Sequence, residues 1–270
     1  MLDLLAANGL RPSRALGQNF VADGNTVRRI AKLAGVGPGD HVVEIGAGLG
    51  ALTLALAETG AAVTAVEVDR HLVPVLESVV AGRGVTVVHA DARTVDWPST
   101  LAAAERWVLV ANLPYNVATP LVLELLEGVP AIERMLVMVQ REVGERLAAG
   151  VGDDAYGAVS VKVAYWATAS VVGKVPPTVF VPQPRVDSAL VRIDRRPAPA
   201  VDVPYDRFEA LVRAGFATRR KMLRRALAGT VAPGVLEAAA VDPVARAEAL
   251  DVEAWGRLTA CAMSSGPPPS

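Results

Sequence analysis

The chain has 270 residues and a net charge of −1; 52% of it is hydrophobic, 20% is charged, and its mean hydropathy is +0.35. That suffices for a full core plus a small second domain, and it excludes disorder, collagen-like repeats and, with Cys261 as the one cysteine, a disulfide scaffold or Cys-rich metal site. The longest uncharged stretch, residues 107–123, holds 17 residues and includes Pro114 and Pro120, short of the roughly 20 apolar residues a spanning helix needs.

In chain order, residues 1–20 read as an extended basic arm. They have an acid at Asp3 and no basic-then-apolar order, so no signal peptide is expected and the protein is expected to be cytoplasmic. A helix follows over Gly24–Ala34, then a short apolar strand at His41–Ile45 that ends in a glycine turn. Helical character at 52–58 leads to a strand at Ala62–Glu67, a helix at Val73–Val80 and a strand at Val85–His89. Strands at 107–111 and 135–140 are each followed by a helix, at 120–126 and 142–149. This alternation of apolar strands with helices predicts parallel βαβ units in a doubly wound α/β sheet. Further strands are expected at 161–172 and 189–193, an antiparallel pair closing the sheet. Pro197, Pro199 and Pro204 mark a linker, and Phe208, Leu211, Val212, Phe216, Met222, Leu223 and Leu227 fall at helical spacing beyond it. The expected organisation is a catalytic domain at 1–196 (arm 1–23), a small helical domain at 197–264 and a disordered tail at 265–270.

Charge is segregated along the chain. Residues 181–230 carry eleven Arg and Lys against five acids, a net +6, and residues 1–35 are +3, so the remainder sums to −10. A polyanion-binding surface requires such separation, although a solvated helix face would show it as well.

The first chemical signal is the run Glu44-Ile45-Gly46-Ala47-Gly48-Leu49-Gly50, placed after a strand and before a helix. Glycines there let backbone approach a ligand, and a helix start offers free N–H groups. The next strand ends at Glu67, where a carboxylate can accept both ribose hydroxyls of an adenosine-type cofactor. The string also fits the loose dinucleotide pattern. Glu44 ahead of the first glycine suits a cofactor carrying an ammonium group, which favours S-adenosylmethionine over a nicotinamide. Asp91, closing the strand after that, could meet the adenine amine.

The strand at 107–111 runs into Asn112-Leu113-Pro114-Tyr115-Asn116. An exocyclic adenine amine is a poor nucleophile because its lone pair is delocalised into the ring. The side-chain carbonyl of Asn112 and the backbone carbonyl of Leu113 could accept its hydrogens and favour a pyramidal amine. Pro114 has no N–H to compete and stiffens the turn. Tyr115 could stack on the base, a contact worth roughly 1–3 kcal/mol.

With these strings the chain resembles the ribosomal RNA adenine dimethyltransferases, in particular their small-subunit branch, the one tied to kasugamycin sensitivity. The resemblance rests on Leu16-Gly17-Gln18-Asn19-Phe20, the run from Glu44 to Thr53, Glu67-Val68-Asp69, Asp91-Ala92, Asn112 to Asn116, residues 175–188 and Arg219-Arg220-Lys221-Met222-Leu223. It implies a Rossmann-like class I methyltransferase that uses S-adenosylmethionine, releases S-adenosylhomocysteine and needs no metal. It further implies a cofactor site of Asn19, Val21, Glu44, Gly46, Gly48, Glu67, Val68, Asp91, Ala92 and Asn112. The reacting base would meet Asn112, Leu113, Pro114, Tyr115 and Phe180, with Phe180 as a second stacking ring. Arg219, Arg220, Lys221, Arg224 and Arg225 would contact RNA. The implied substrate is two adjacent adenosines in the terminal hairpin of small-subunit RNA within an assembling subunit, acted on by a monomer with no membrane partner. Ala47, Val21 and Arg225 depart mildly from the family pattern.

Three alternatives belong beside this one. A large-subunit methylase of the macrolide-resistance type shares the arm, glycine turn and stacking residues, but Asn112–Asn116 and the run at 181–189 favour the small-subunit branch. A non-catalytic RNA-binding assembly factor would have no need of Glu67, Asp91, Asn112 and Tyr115 together. A nicotinamide dehydrogenase has no use for the Asn112–Tyr115 string.

Overall fold

The computed structural model describes residues 2–13, 16–218 and 220–265. Its strands are β1 (Phe20–Val21), β2 (His41–Ile45), β3 (Ala62–Glu67), β4 (Val85–His89), β5 (Trp107–Asn112), β6 (Ile132–Gln140), β7 (Ala167–Val175), β8 (Phe180–Val181) and β9 (Ser188–Arg195). Its α-helices are α1 (Leu2–Ala7), α2 (Gly24–Ala34), α3 (Ala51–Ala57), α4 (Val73–Val80), α5 (Trp97–Thr100), α6 (Ala118–Gly128), α7 (Arg141–Ala148), α8 (Ala158–Trp166), α9 (Tyr205–Phe216), α10 (Leu223–Ala226), α11 (Val235–Ala238) and α12 (Val252–Ser264). Two compact units result: Met1–Glu145 with Ser170–Arg195, and Arg146–Ala169 with Arg196–Ser270.

The first unit is built on one sheet of seven strands in the order β4-β3-β2-β5-β6-β9-β7. Strands β4, β3, β2, β5 and β6 are mutually parallel and β9 runs antiparallel to β6. The central strands are apolar without alternation because both faces are covered, as parallel sheets require. On one face Val27, Ile30, Ala31 and Ala34 of α2 and Leu52 and Leu56 of α3 cluster with Val42, Val110, Leu136 and Met138 of the sheet. A second cluster joins Ala47, Ala65, Leu76 and Val80. Each fully buried Leu or Ile contributes about 1.5–3 kcal/mol. Helix α2 is bounded as its sequence dictates. Asp23 accepts from the Thr26 N–H at 2.7 Å, and Gly35, at φ 60°, closes the other end in the left-handed conformation.

Where the structure departs from the sequence expectation, tertiary packing explains it. The stretch 161–172 is not one strand: residues up to Trp166 form α8, and only Ala167–Val175 is strand. The alternation of Val161, Val163 and Tyr165 mimics a strand, but all three are buried in a helix. Ser160 sets that helix by accepting from the Gly157 N–H at 3.2 Å and donating to the Arg146 carbonyl at 2.6 Å. With α8, residues 146–169 group with the second unit although the expected boundary lay at 196. The arm is not extended throughout, since Leu2–Ala7 is helical. Arg14, Ala15, Arg219 and all but Ser265 of the expected tail lie outside the described residues.

The second unit packs α8–α12 around Phe208, Leu223, Trp255 and Leu258, each with no measurable exposure. Its buried phenols are satisfied: Tyr156 donates to the Leu250 carbonyl at 2.8 Å and Tyr165 to the Val203 carbonyl at 2.6 Å. No helix among the described residues is long and apolar enough to cross a membrane.

Arg195 shows how the sheet end is closed. Its guanidinium donates to the carbonyls of Leu125, Leu126, Val129 and Ile132 at 2.7–3.1 Å, satisfying the C-terminal end of α6. Arg195→Met keeps the apolar stem and leaves those carbonyls without this donor. It should lower unfolding stability by about 1.5–3 kcal/mol, read as a lower urea midpoint at unchanged slope.

Candidate active site

Strand β2 lies between β3 and β5, so the chain runs outward through β3 and β4 and then crosses back to β5. The carboxyl ends of β2 and β5 therefore flank the point where strand order reverses, the usual place for a ligand crevice in an open α/β sheet. Register puts Ile45 beside Val66 and Ala111, Glu67 beside His89, and Asn112 beside Met138. Two adjoining cavities open there. One is lined by Leu16, Gly17, Gln18, Asn19, Phe20, Gly46, Gly48, Glu67, Val68, Leu72, Asn112, Leu113, Pro114 and Tyr115. The other is lined by Leu16, Ile45, Gly46, Val66, Val68, Ala90, Asp91, Ala92, Arg93, Pro114, Asn116, Val117 and Leu121. Val68 is shared by both and is 43% exposed, an apolar side chain held at the surface of a cleft.

The glycine turn approaches the arm closely. Gly48 has φ +57°, and a Cβ there would stand 2.9 Å from the Phe20 ring, so a larger residue would push the arm away. Its N–H donates to Glu67 Oε2 at 2.7 Å, while Glu67 Oε1 accepts from the Asp69 N–H at 2.8 Å. Burial raises the Glu67 carboxyl above its ordinary value. Glu44, just before the turn, is 2% exposed, and among the described residues neither its Oε2 nor the buried Thr53 hydroxyl has a hydrogen-bond partner of good geometry. Burial, partly offset by the nearby Thr53 hydroxyl and reinforced by the Glu67 charge, pushes the Glu44 carboxyl up to about 8. Asp91 is exposed, and its Oδ1 accepts from the Arg93 N–H at 2.9 Å, which fixes it at the mouth of the second cavity.

At the other end, Asn112 Nδ2 donates to the backbone carbonyl of Asn19 at 2.8 Å. That commits the amide nitrogen to the arm and leaves Oδ1 as the acceptor at the cavity wall. The Leu113 N–H is used by the Met138 carbonyl at 3.0 Å, and no donor to the Leu113 carbonyl is found among the described residues. Tyr115 is half-buried, and its hydroxyl lies 2.8 Å from the Ser188 hydroxyl.

The cavities thus bring together Asn19, Gly46, Gly48, Glu67, Val68, Asp91, Ala92, Asn112, Leu113, Pro114 and Tyr115. Glu44 is buried against them without lining them. Val21 and Phe180 stand apart: they pair across β1 and β8 and are buried in the core with Val27 and Ile30. With 3% exposure and no ring contact to Tyr115 among the described residues, Phe180 offers no free face in this conformation. In the second unit, Arg220, Lys221, Arg224 and Arg225 are all exposed and make no side-chain hydrogen bond or ion pair among the described residues, while Leu223 and Leu227 anchor their short helix in the core. Arg219 lies outside the described residues.

Two contributions escaped the reading of the sequence. Gln18 donates to Asp69 Oδ2 at 2.9 Å and accepts from the Ser13 N–H at 2.8 Å, tying the arm to the end of β3. Ser188 holds the tyrosine. Both residues stood inside recognised strings, but only the fold shows their partners, 51 and 73 residues away. No group of His, Cys, Asp and Glu that could hold a metal occurs among the described residues.

A mostly parallel sheet in this order, with a glycine turn and acids ending successive strands, defines a Rossmann-like methyltransferase. A family model described as ribosomal RNA adenine dimethylase matches residues 10–262, and the chain belongs to that family. Ribosomal RNA small subunit methyltransferase A of Cutibacterium acnes is 48% identical over 274 residues, covering 96% of this chain and 91% of that protein. The protein of the same name from Thermobifida fusca is 48% identical over 267 residues, covering 94% and 92%. Among solved structures, the 23S rRNA methyltransferase ErmE superposes with a TM-score of 0.72 at 29% identity, over 90% of this chain and 99% of that one. A dimethyladenosine transferase from Plasmodium falciparum reaches a TM-score of 0.75 at 23% identity over 88% and 95%, a likeness of fold.

The buried Glu44 makes a testable statement about pH. A carboxyl raised from 4.5 to about 8 on folding favours the native state when protonated, so its stabilising contribution is complete below 4.5 and is lost as pH rises through about 8. Glu44→Gln stays neutral throughout. Thermal melts of the ligand-free protein from about pH 5 to about pH 9 should show wild type losing more stability than Glu44→Gln, with the gap widening up to about pH 8 and level beyond it.

Proposed function

We propose that this chain transfers methyl groups from S-adenosylmethionine to the exocyclic amines of two adjacent adenosines in the 3′-terminal hairpin of small-subunit (16S) ribosomal RNA. The products are dimethyladenosines and S-adenosylhomocysteine, formed in the cytoplasm during assembly of the small subunit. Membership of the adenine dimethylase family and the 48% identity to small-subunit methyltransferases support this reading. The observation that carries it is the Asn112 amide, oriented by the Asn19 carbonyl so that its oxygen is the group free to accept.

The residues fit the cofactor. Glu44, two positions before the cavity-lining Gly46 and with its Oε2 unpartnered among the described residues, would gain a partner from an ammonium group and be ionised by it, and the exposed face of Val68 across both cavities suits a flat purine. Bound there, S-adenosylmethionine supplies a methyl already activated on a sulfonium. Glu67 would accept from ribose hydroxyls and Asp91 from the adenine amine. Asn112 Oδ1 and the Leu113 carbonyl would accept the two hydrogens of the target amine and aim its lone pair inward. Tyr115 would stack on the target base and exclude water. No His lines either cavity, so the residues at hand act by positioning rather than by strong general-base chemistry. In this reading residues 1–196 carry the chemistry, with α8 packed into the helical unit, and the exposed cations of 220–225 meet phosphate.

The test offers tritiated S-adenosylmethionine with undermethylated small subunits and with protein-free large-subunit RNA, followed by digestion to nucleosides. Label recovered as dimethyladenosine from the small subunit is the expected result; label in large-subunit RNA, the substrate class named for ErmE, would overturn it. Asn112→Ala should slow transfer by about 10²–10³-fold, the scale of losing one preorganised polar contact to the reacting group, while RNA binding survives. Replacing Arg220, Lys221 and Arg224 together by Gln should weaken RNA binding and flatten its dependence on log salt by about one unit per lost phosphate contact.

A further inference from the structure

Ser188 lies at the end of a string that the recognised motifs include but to which they give no task. It has no exposure at all, and its hydroxyl meets the Tyr115 hydroxyl at 2.8 Å. A buried hydroxyl needs a partner, and this is the one it has among the described residues. Its position is rigid for reasons independent of Tyr115. Ser188 opens β9 in register with Gln140 of β6, and the carbonyl of the preceding Asp187 accepts from the Arg141 N–H at 2.9 Å. Tyr115, by contrast, sits in the irregular turn between β5 and α6, half-buried and outside any strand. Tyr115 lines the cleft, and its hydroxyl is held by Ser188 at the start of β9. Phe180 is packed in the core, and of the two aromatic residues that line this cavity Phe20 is buried with its ring against Gly48, while Tyr115 follows Asn112 by three residues.

We infer that Ser188 is a positioning residue for methyl transfer: its hydroxyl fixes the swing of the Tyr115 ring, and so the depth and tilt at which the target base stacks before Asn112. This rests on the proposed function and extends it. A contact that sets the attack geometry acts on turnover, because small misplacements of a reacting atom cost far more in rate than in binding. It also acts solely through the tyrosine hydroxyl, which gives the inference a distinctive signature.

The experiment compares wild type, Ser188→Ala, Tyr115→Phe, the double variant and Ser188→Thr in single-turnover methylation of undermethylated small subunits, with thermal melts alongside. Ser188→Ala and Tyr115→Phe should each lower the transfer rate about tenfold with the KM for S-adenosylmethionine unchanged. The double variant should be no slower than either single one, because both remove one interaction, and Ser188→Thr should recover most of the rate. Should Ser188→Ala fail to fold, Tyr115→Phe, which leaves Ser188 in place, still reads the same bond. Wild-type rates in Tyr115→Phe, multiplicative losses in the double variant, or a rise confined to KM would each overturn the role of Ser188. Absence of transfer by the wild-type protein would instead overturn the proposed function, and this inference with it.

Discussion

The reversal of strand order beside β2 is the constraint on which the site depends. Parallel strands cannot be joined by hairpins, so β2 to β6 are connected through helices and their carboxyl ends face the same way. Because β3 and β4 lie on one side of β2 and β5 and β6 on the other, the helices leaving β2 and β5 diverge. The crevice between them is a geometric consequence of connectivity. Glu44, Glu67, Asp91 and Asn112 need only stand at or just beyond their strand ends to converge on it, although they are separated by up to 68 positions in the chain.

The crevice alone would be an open groove, and the arm turns it into a cleft. Leu16 to Phe20 form part of the cavity wall, held by three contacts of different kinds: Gln18 to Asp69, the Asn19 carbonyl to Asn112, and the pairing of β1 with β8. Asp69 in turn donates its N–H to Glu67, and Glu67 accepts from Gly48. A continuous set of hydrogen bonds therefore links the arm to the glycine turn through the acid assigned to the ribose. A second contact of the same arm orients the amide assigned to the reacting amine. The arm segment Gln18–Asn19 thus bonds both to the end of β3, through Asp69, and to Asn112 at the end of β5.

Much of this was legible in the sequence, for identifiable reasons. The strands of a parallel sheet are short apolar runs, and four of them ended in an acid or amide that no core position would tolerate without a task. The positions of Gly46 to Gly50, Glu67, Asp91 and Asn112 at or near strand ends therefore follow from the sequence. What escaped was whatever depends on long-range partners. The alternation at 161–165 fits strand and helix equally, and packing against Phe208 and Trp255 decided for the helix. Phe180 was assigned to the base by resemblance, yet the pairing of β1 with β8 carries it into the core. Gln18 and Ser188 are ordinary polar residues locally, and nothing in their neighbourhood announces Asp69 or Tyr115.

The charged segment shows the same limit from the other side. Eleven cations within 181–230 suggested a polyanion surface by number. Arg195 is spent on the end of α6, Arg196 donates to the Ala164 carbonyl, and Arg192, Arg207 and Arg213 face Asp194, Asp206 and Glu209. Those five serve the fold or are neutralised locally. Within this segment the described cations that stay exposed and unpaired are Arg185 in the loop before β9 and the group Arg220, Lys221, Arg224 and Arg225 around α10. Counterion release counts cations that meet phosphate, not cations in a composition. The salt dependence of RNA binding should therefore follow the cluster at α10 and be largely indifferent to Arg192, Arg195 and Arg196, although these account for as much of the formal charge per residue. Only the pairing seen in the folded chain separates the two groups.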